Sequence, residues 1–400
     1  MKRLTFLSII SIFSSAFFAE MAYSLPWPPD MDVYYIKFNY ESGHTWDALT
    51  IKKNKTTPIS VPEWESGGST NEKFAYIKSQ SYRKIKAQFW IDRNWDDHME
   101  AYAEKNGGGQ GIGDISQVYI DFNGTQYSDE TLMSFDGSVP SSIDTAGFNL
   151  KWYGVMAEGP DEDLIFHFGT TGRHKYYIVL DTPQAPMSEP WTGVLDYSCD
   201  WASGLSSDAT VIDSISHSIY SDLGLAYDIY SQGSGYAWYD AGNYYFDLED
   251  FLDEVPGEDL RANCWDTGMS VTIFANALGC NAECKSSTPF GWVNCIKPIG
   301  RGWTNNPFYP TMSYPYNDPI EDGDTSSRSK FSTHVVTVLS SIYDACLKVD
   351  TDADPDGAPH TESWANGWSW NTYVSKVVDN NPSTSTGALV LINFSIQSID

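Results

Sequence analysis

Basic residues are scarce in this 400-residue chain: 24 Lys and Arg stand against 53 Asp and Glu, a formal net charge of −29. That imbalance repels phosphate backbones and anionic lipid, so it argues against nucleic acid as a partner; it would attract a cationic or Lys-rich substrate, although the plainer reading is that the acidity only maintains solubility. After the first two dozen residues there is also no apolar run of the roughly 20 residues needed to span a bilayer, which argues against membrane insertion. Metal and nucleotide signatures are incomplete. Cys280, Cys284 and Cys295 lack the CxxC spacing and nearby histidine of the usual zinc templates. The glycine-rich stretch 104–114, EKNGGGQGIGD, has no GK[ST] ending and reads as a flexible turn. Asp352, Asp354 and Asp356 have the spacing of the front half of a calcium loop. The bidentate Glu is missing: Ser363 stands in its place and Glu362 is one position early. An acidic solvated loop is the plainer reading there, and a structural calcium the alternative. No organic cofactor is implied.

What is present begins with a targeting signal. Lys2 and Arg3 precede an apolar run from Leu4 to about Ala19, and Ala22-Tyr23-Ser24 offers a small-residue cleavage site. The expectation is a removable signal peptide over 1–24 and a secreted or periplasmic protein. In an oxidising compartment the six cysteines (199, 264, 280, 284, 295 and 346) default to pairing. Cys284 with Cys295 is the favoured bridge because it would close a short loop, although sequence alone leaves the connectivity open.

From Asp32 to Thr182 the chain is strand-like. The runs at 32–40, 83–92, 116–124, 147–156, 163–169 and 174–181 are rich in β-branched and aromatic residues. GTTGRH between the last two looks like a hairpin loop, and an all-β antiparallel sandwich over 25–182 is expected. PQAPMSEPW, with three prolines in nine residues, marks a linker at 183–190. Beyond it the period moves toward 3.6. Asp208 is placed to cap a helix whose Val211, Ile212, Ile215, Ile219 and Leu223 share one face. The stretch FYPTMSYPYNDPIEDGDTSSRSK after Cys295 is long, irregular and rich in Pro, Asp and Ser, the kind of segment that covers a cleft.

The centre of the second half is RANCWDTGMSVTIFANALGCNAEC, 261–284. Asn263 caps a helix and Asp266 answers as the acidic half of a capping box. Met269, Ile273, Phe274, Ala277 and Leu278 recur at helical spacing, and Gly279 terminates. Cys264 then lies in the first turn, where unpaired N–H groups and the helix dipole favour thiolate. A nucleophilic cysteine needs a base, and the base an orienting acceptor. Of seven histidines, His44, His98, His167 and His174 fall in the expected sandwich. His217 falls on a polar helix face and His360 in an acidic loop. His334 lies on a strand, FSTHVVTVL, that turns through Ser340-Ser341 into IYDACLKV with Asp344. A three-residue loop centred on Ser340 makes His334 and Asp344 diagonal neighbours, whereas a two-residue turn puts them on opposite faces.

A cysteine opening a helix that ends in ALG, a histidine on a later strand and an aspartate on the next strand after an aromatic together resemble the transglutaminase-like (papain-like cysteine) superfamily over about 191–350. The resemblance implies an α+β domain, here 191–400, with Cys264 as nucleophile, His334 as general base and acid and Asp344 as the orienting carboxylate. It also implies thioester chemistry on a protein or peptide carboxamide: transglutaminase, amidase or peptidase. Val336 stands where that family usually has an aromatic. It identifies no second oxyanion donor beside the Cys264 N–H; Trp191, Trp201 and Gln232 are candidates by position.

Three competing readings accompany this one. Cys264 is a half-cystine, and the chain a secreted binding scaffold with an inactive domain. Alternatively Asp266-Thr267-Gly268 and Asp144-Thr145-Ala146 are aspartic-protease loops, although Asp266 sits in a helical pattern. Otherwise His334 and Asp344 are a satisfied strand histidine and a turn carboxylate.

Overall fold

The computed structural model describes residues 28–41, 45–95, 99–107, 112–157, 163–231, 233–288, 290–307, 330–354, 359–379 and 389–399. It is mixed α+β and strand-rich, with five helices among the described residues. The segment 1–24 expected to be a signal peptide and the stretch 308–329 expected to cover a cleft lie outside them, as do His44, His98, Gln232 and Asp356.

Ten strands fill the first half: β1 (Met31–Lys37), β2 (Trp64–Glu65), β3 (Phe74–Ile77), β4 (Lys84–Trp95), β5 (Met99–Asn106), β6 (Ile115–Ile120), β7 (Thr125–Tyr127), β8 (Thr131–Ser134), β9 (Asp144–Ala157) and β10 (Asp163–Val179). They form two five-stranded sheets. One has the order β2-β1-β4-β7 with β8 also on β4; the other is β3-β10-β9-β5-β6. Alternation on β4, inward Ile85, Ala87, Phe89 and Ile91, is what a half-buried strand requires. Residues of both sheets meet in one apolar cluster, where Phe38 stacks on Phe74 at 3.8 Å and Phe89 meets Trp152 edge-on at 5.5 Å.

Two expectations fail here. GTTGRH is not a hairpin loop. β10 runs through it for 17 residues, because β9 continues as its partner and bulges at His167/Gly169 and Thr171/His174 absorb the extra residues. Nor is the pairing purely antiparallel, since β3 joins β10 in parallel.

Among the described residues of the second half are five helices and fourteen short strands. The helices are α1 (Thr192–Trp201), α2 (Asp208–Asp222), α3 (Leu248–Glu254), α4 (Cys264–Ala277) and α5 (Trp370–Val377). Ser207, not Asp208, occupies the N-cap position of α2. The strands are β11 (Leu225–Tyr227), β12 (Ala237–Asp240), β13 (Asn243–Phe246), β14 (Leu260–Ala262), β15 (Glu283–Ser287), β16 (Gly291–Trp292) and β17 (Ile296–Pro298), then β18 (Lys330–Phe331), β19 (His334–Val338), β20 (Ile342–Tyr343), β21 (Leu347–Asp350), β22 (Glu362–Trp364), β23 (Leu391–Asn393) and β24 (Ile396–Ile399). Among the sheets they form, β20-β19-β15-β23 carries His334 and β17-β21-β22 carries Asp350.

α4 is the hub. Every residue of it except Trp265 is buried, so it is enclosed on all sides and not amphipathic as the periodic stripe suggests. It packs on α1, α2, β15 and β19. Thr267, Gly268, Val271, Thr272 and Asn276 are weak helix formers, costing up to about 1 kcal/mol each. Burial of Met269, Ile273, Phe274 and Leu278, at roughly 1.5–3 kcal/mol per large side chain, outweighs them. The buried polar groups are satisfied: Asn276 donates to Ala185 O (2.6 Å) and Ala282 O (2.9 Å), and Thr272 donates to Gly268 O (2.9 Å). Gly279 ends the helix at φ +96°, where a Cβ would lie 2.6 Å from the Asp181 backbone. The proline-rich segment is therefore no loose tether: Leu180 and Asp181 N–H bond Leu278 O, and Gln184 N–H bonds Asn276 O.

Candidate active site

Local sequence chemistry puts Cys264 at the tip of α4. The Asn263 side chain accepts from the Trp265 and Asp266 N–H groups, and Asp266 returns a bond to Asn263 N–H at 2.8 Å, a complete capping box. Asp266 also accepts from the N–H groups of Gly235 (3.0 Å), Tyr236 (2.8 Å) and Ala237 (2.8 Å). Burial pushes its pKa up to about 6, while these four backbone bonds pull it down. Asp266 is thus a cap and a clamp for the 235–237 loop, with its carboxylate taken up by backbone, which removes the aspartic-protease reading. Cys264 occupies the first helical position, where its N–H has no intrahelical acceptor.

The imidazole arrives on β19. Gly268 sets the spacing, for a Cβ there would meet Val335 Cγ1 at 2.7 Å. Thr337 reinforces the contact by donating to Gly268 O at 2.8 Å. Thr337 pairs with Tyr343 and Val338 with Ile342, so the hairpin loop is three residues, 339–341. His334 and Asp344 consequently share a face, and His334 Nε2 lies 2.9 Å from Asp344 Oδ2. Cys264, His334 and Asp344 are 4%, 1% and 1% exposed, so their charges interact with little screening. His334 Nδ1 is buried with no hydrogen-bond partner among the described residues, and the Cys264 thiol lies near enough to the ring to raise its pKa. Burial by itself would lower the His334 pKa. The Asp344 charge and hydrogen bond, with the Cys264 contact, outweigh burial and raise it to about 10.

Asp344 is held in turn. Tyr373 OH donates to Oδ2 at 2.5 Å, Cys346 N–H to Oδ1 at 2.7 Å, and the Asp344 N–H bonds Asn366 Oδ1 at 2.9 Å. Asn366 reaches α2 through Asp213 Oδ1 at 2.9 Å. Phe290 and Tyr373 flank the imidazole at 4.9 and 6.3 Å between ring centroids. Tyr373 and Asn366 escaped sequence reasoning, because nothing in SWNTYVSKVV or SWANGWS marks a residue that will point at a carboxylate. Beside the cysteine, a depression of about 290 Å³ is lined by Ser234, Ala237, Trp238, Tyr239, Tyr244 and Trp265. Tyr244 stacks on Trp265 at 4.9 Å.

The remaining candidates separate. Trp201 stacks on Phe274, ten positions beyond Cys264 and so roughly 15 Å along the helix, which removes its ring from the oxyanion position. Trp191 is the N-cap residue of α1 and is buried against the core. Gln232 is outside the described residues. None of the six cysteines is in a disulfide. The expected Cys284–Cys295 bridge fails because the two thiols face different layers: Cys284 contacts Thr272 of α4, and Cys295 Sγ lies 3.7 Å from His360 Nε2. Among the described residues no group of three or more His, Cys, Asp or Glu is arranged to hold a metal. Asp352 Oδ1 accepts from the Asp354 N–H at 2.9 Å; Asp356, the third calcium candidate, is not described. Among the described residues no helix is long and apolar enough to cross a membrane.

No family model matches the chain, and no curated protein matches it in sequence. Among solved structures it is similar to the transglutaminase of red sea bream, at 12% identity and a TM-score of 0.35. That match covers 67% of this chain, which spans under half (46%) of the fish enzyme's length.

Proposed function

We propose that this is an exported thiol acyltransferase or hydrolase of the transglutaminase-like kind, acting on protein or peptide carboxamides. One observation supports it above the others: a cysteine at a helix N-terminus beside an imidazole whose far nitrogen is held by a buried carboxylate. Nε2 is committed to Asp344, so Nδ1 faces the thiol and takes its proton, leaving thiolate and imidazolium. The thiolate attacks the carbonyl carbon, and the Cys264 N–H stabilises the oxyanion. As the C–N bond breaks, Nδ1–H protonates the departing amine and a thioester remains. Water or a lysine amine then gives its proton to Nδ1, attacks the thioester and releases Cys264. Asp344 keeps Nε2 in place throughout, its oxygens held by Tyr373 and the Cys346 N–H.

The negative charge favours an amine-bearing acceptor over an anionic one. The signal sequence at 1–24 assigns the chain to export, and we divide the remainder at 183–190 into a strand-built unit over 25–182 and the catalytic unit over 191–400.

Cys264→Ala against wild type tests this with a glutamine-donor peptide and a primary amine, reading ammonia release and amine incorporation. Wild-type turnover that the variant abolishes is the expected outcome. If wild type is inert and Cys264 resists iodoacetamide in the native protein, the chain is a binding scaffold instead.

A further inference from the structure

A second cysteine, histidine and aspartate meet in the sheet β17-β21-β22. Ile296 of β17 pairs with Val349 of β21, and one more step of that antiparallel register sets Cys295 opposite Asp350. His360, two residues before β22, reaches between them. Its Nε2 lies 3.7 Å from Cys295 Sγ and its Nδ1–H donates to Asp350 Oδ2 at 2.7 Å. Asp350 Oδ1 accepts from the N–H groups of Thr361 (2.9 Å) and Asp352 (3.1 Å), so this carboxylate is fixed and wholly buried. The bond to Asp350 sets the tautomer and leaves the Nε2 lone pair facing the thiol. Trp303 stacks on the imidazole at 4.5 Å.

Among the described residues the other cysteines outside the catalytic set have no such partner. Cys199 contacts a backbone carbonyl, and burial pushes the thiols of Cys199, Cys280, Cys284 and Cys346 up and out of reach of neutral pH. Among the described residues Cys295 does not open a helix, so it does not share the N-terminal amide position that Cys264 offers an acyl oxyanion. A disulfide needs no such donor: its leaving group is a thiolate that requires one proton.

We propose that Cys295, activated by His360 and Asp350, is a thiol–disulfide exchange site for low-molecular-weight disulfides. His360 Nε2 takes the Cys295 proton, and the thiolate attacks one sulfur of RSSR. The new Cys295–SR bond forms as the RS–SR bond breaks, and the departing RS⁻ takes the proton from Nε2 as RSH. Cys295 is oxidised and half of the reagent is reduced. The imidazole is the most accessible member, its side chain 7% exposed against 1% for the cysteine, so the reagent enters past Trp303 and must be small.

The test uses the full chain carrying Cys264→Ala, so that the other thiol cannot contribute, incubated with glutathione disulfide at neutral pH. Intact mass and peptide mapping should find one adduct, on Cys295, and none when Cys295→Ser is added. His360→Gln should slow the reaction roughly 100-fold, the range of a lost general base. If that variant does not melt cooperatively, Trp303→Ala decides, with faster labelling expected. The proposal is overturned if the native protein takes up no adduct that urea-unfolded protein accepts. It is equally overturned if His360→Gln reacts at the parent rate, or Trp303→Ala no faster. Failure here leaves the Cys264 chemistry untouched.

Discussion

The chain holds the same three side chains in two settings, and their differences are instructive. Around Cys264 the imidazole gives Nε2 to Asp344; around Cys295 it gives Nδ1 to Asp350 and turns Nε2 toward sulfur. Each histidine is ten positions from its aspartate. Only the first set has a helix tip behind its sulfur, supplying an N–H and a dipole where negative charge develops. On the proposed reading a Cys, a His and an Asp in contact define an activated thiol. The backbone behind the sulfur decides whether that thiol suits acyl transfer.

This contrast is sharpened most by Gly268→Ala. The new methyl would press Val335 and move α4 off β19, with no counterpart near Cys295. Acyl transfer should fall by about 100-fold, the penalty of roughly 1 Å of misplacement. Exchange at Cys295 should hold its rate, and a fall in both rates would mean that the two sites are not separable.

Tyr373→Phe comes next. It removes one donor from Asp344 and should cost about 1.5–3 kcal/mol in urea unfolding, with a moderate loss of acyl-transfer rate and none of Cys295 exchange. An unchanged stability would mean that the phenol does not support the carboxylate.

The most gradual effect is in pH. The folded-state pKa of His334 is raised to about 10, so the proton it retains stabilises the fold fully below the unfolded value near 6.5. That contribution is lost as pH rises through about 10, with a slope of at most about 1.4 kcal/mol per unit. Asp266 and Glu63, raised by burial to about 6 and about 7, lose theirs at lower pH, and the buried thiols lose theirs above the unfolded cysteine value near 8.5, so over pH 7.5–9.5 the share of the histidine is the difference between wild type and His334→Gln. Urea midpoints should decline across that window in wild type and stay flatter in His334→Gln.

Much of the first site was legible because its determinants are local. Asn263 and Asp266 announce a cap within four residues, Gly279 announces an end, and the parity of one hairpin decides whether His334 and Asp344 can meet. The supports were not legible. Tyr373 and Asn366 act on Asp344 from 29 and 22 residues away, and no spacing links them to it. The second set was hidden for the same reason: Cys295 and His360 are 65 positions apart and joined only by strand register. Where sequence reasoning erred, it trusted local signals that tertiary pairing overrode. Glycines at 169 and 172 suggested a loop that β9 holds as strand, and a short Cys284–Cys295 interval suggested a bridge that layer geometry forbids.

The turn at 339–341 has a consequence beyond holding two strands together. Strands count in twos, so deleting or inserting a single residue there would rotate Asp344 to the outside of the hairpin while leaving every hydrogen-bonding partner type available. Two residues added or removed would restore it. The pairing of a buried imidazole with its carboxylate thus hangs on an odd number in a turn remote from both, and one codon there decides whether the two meet.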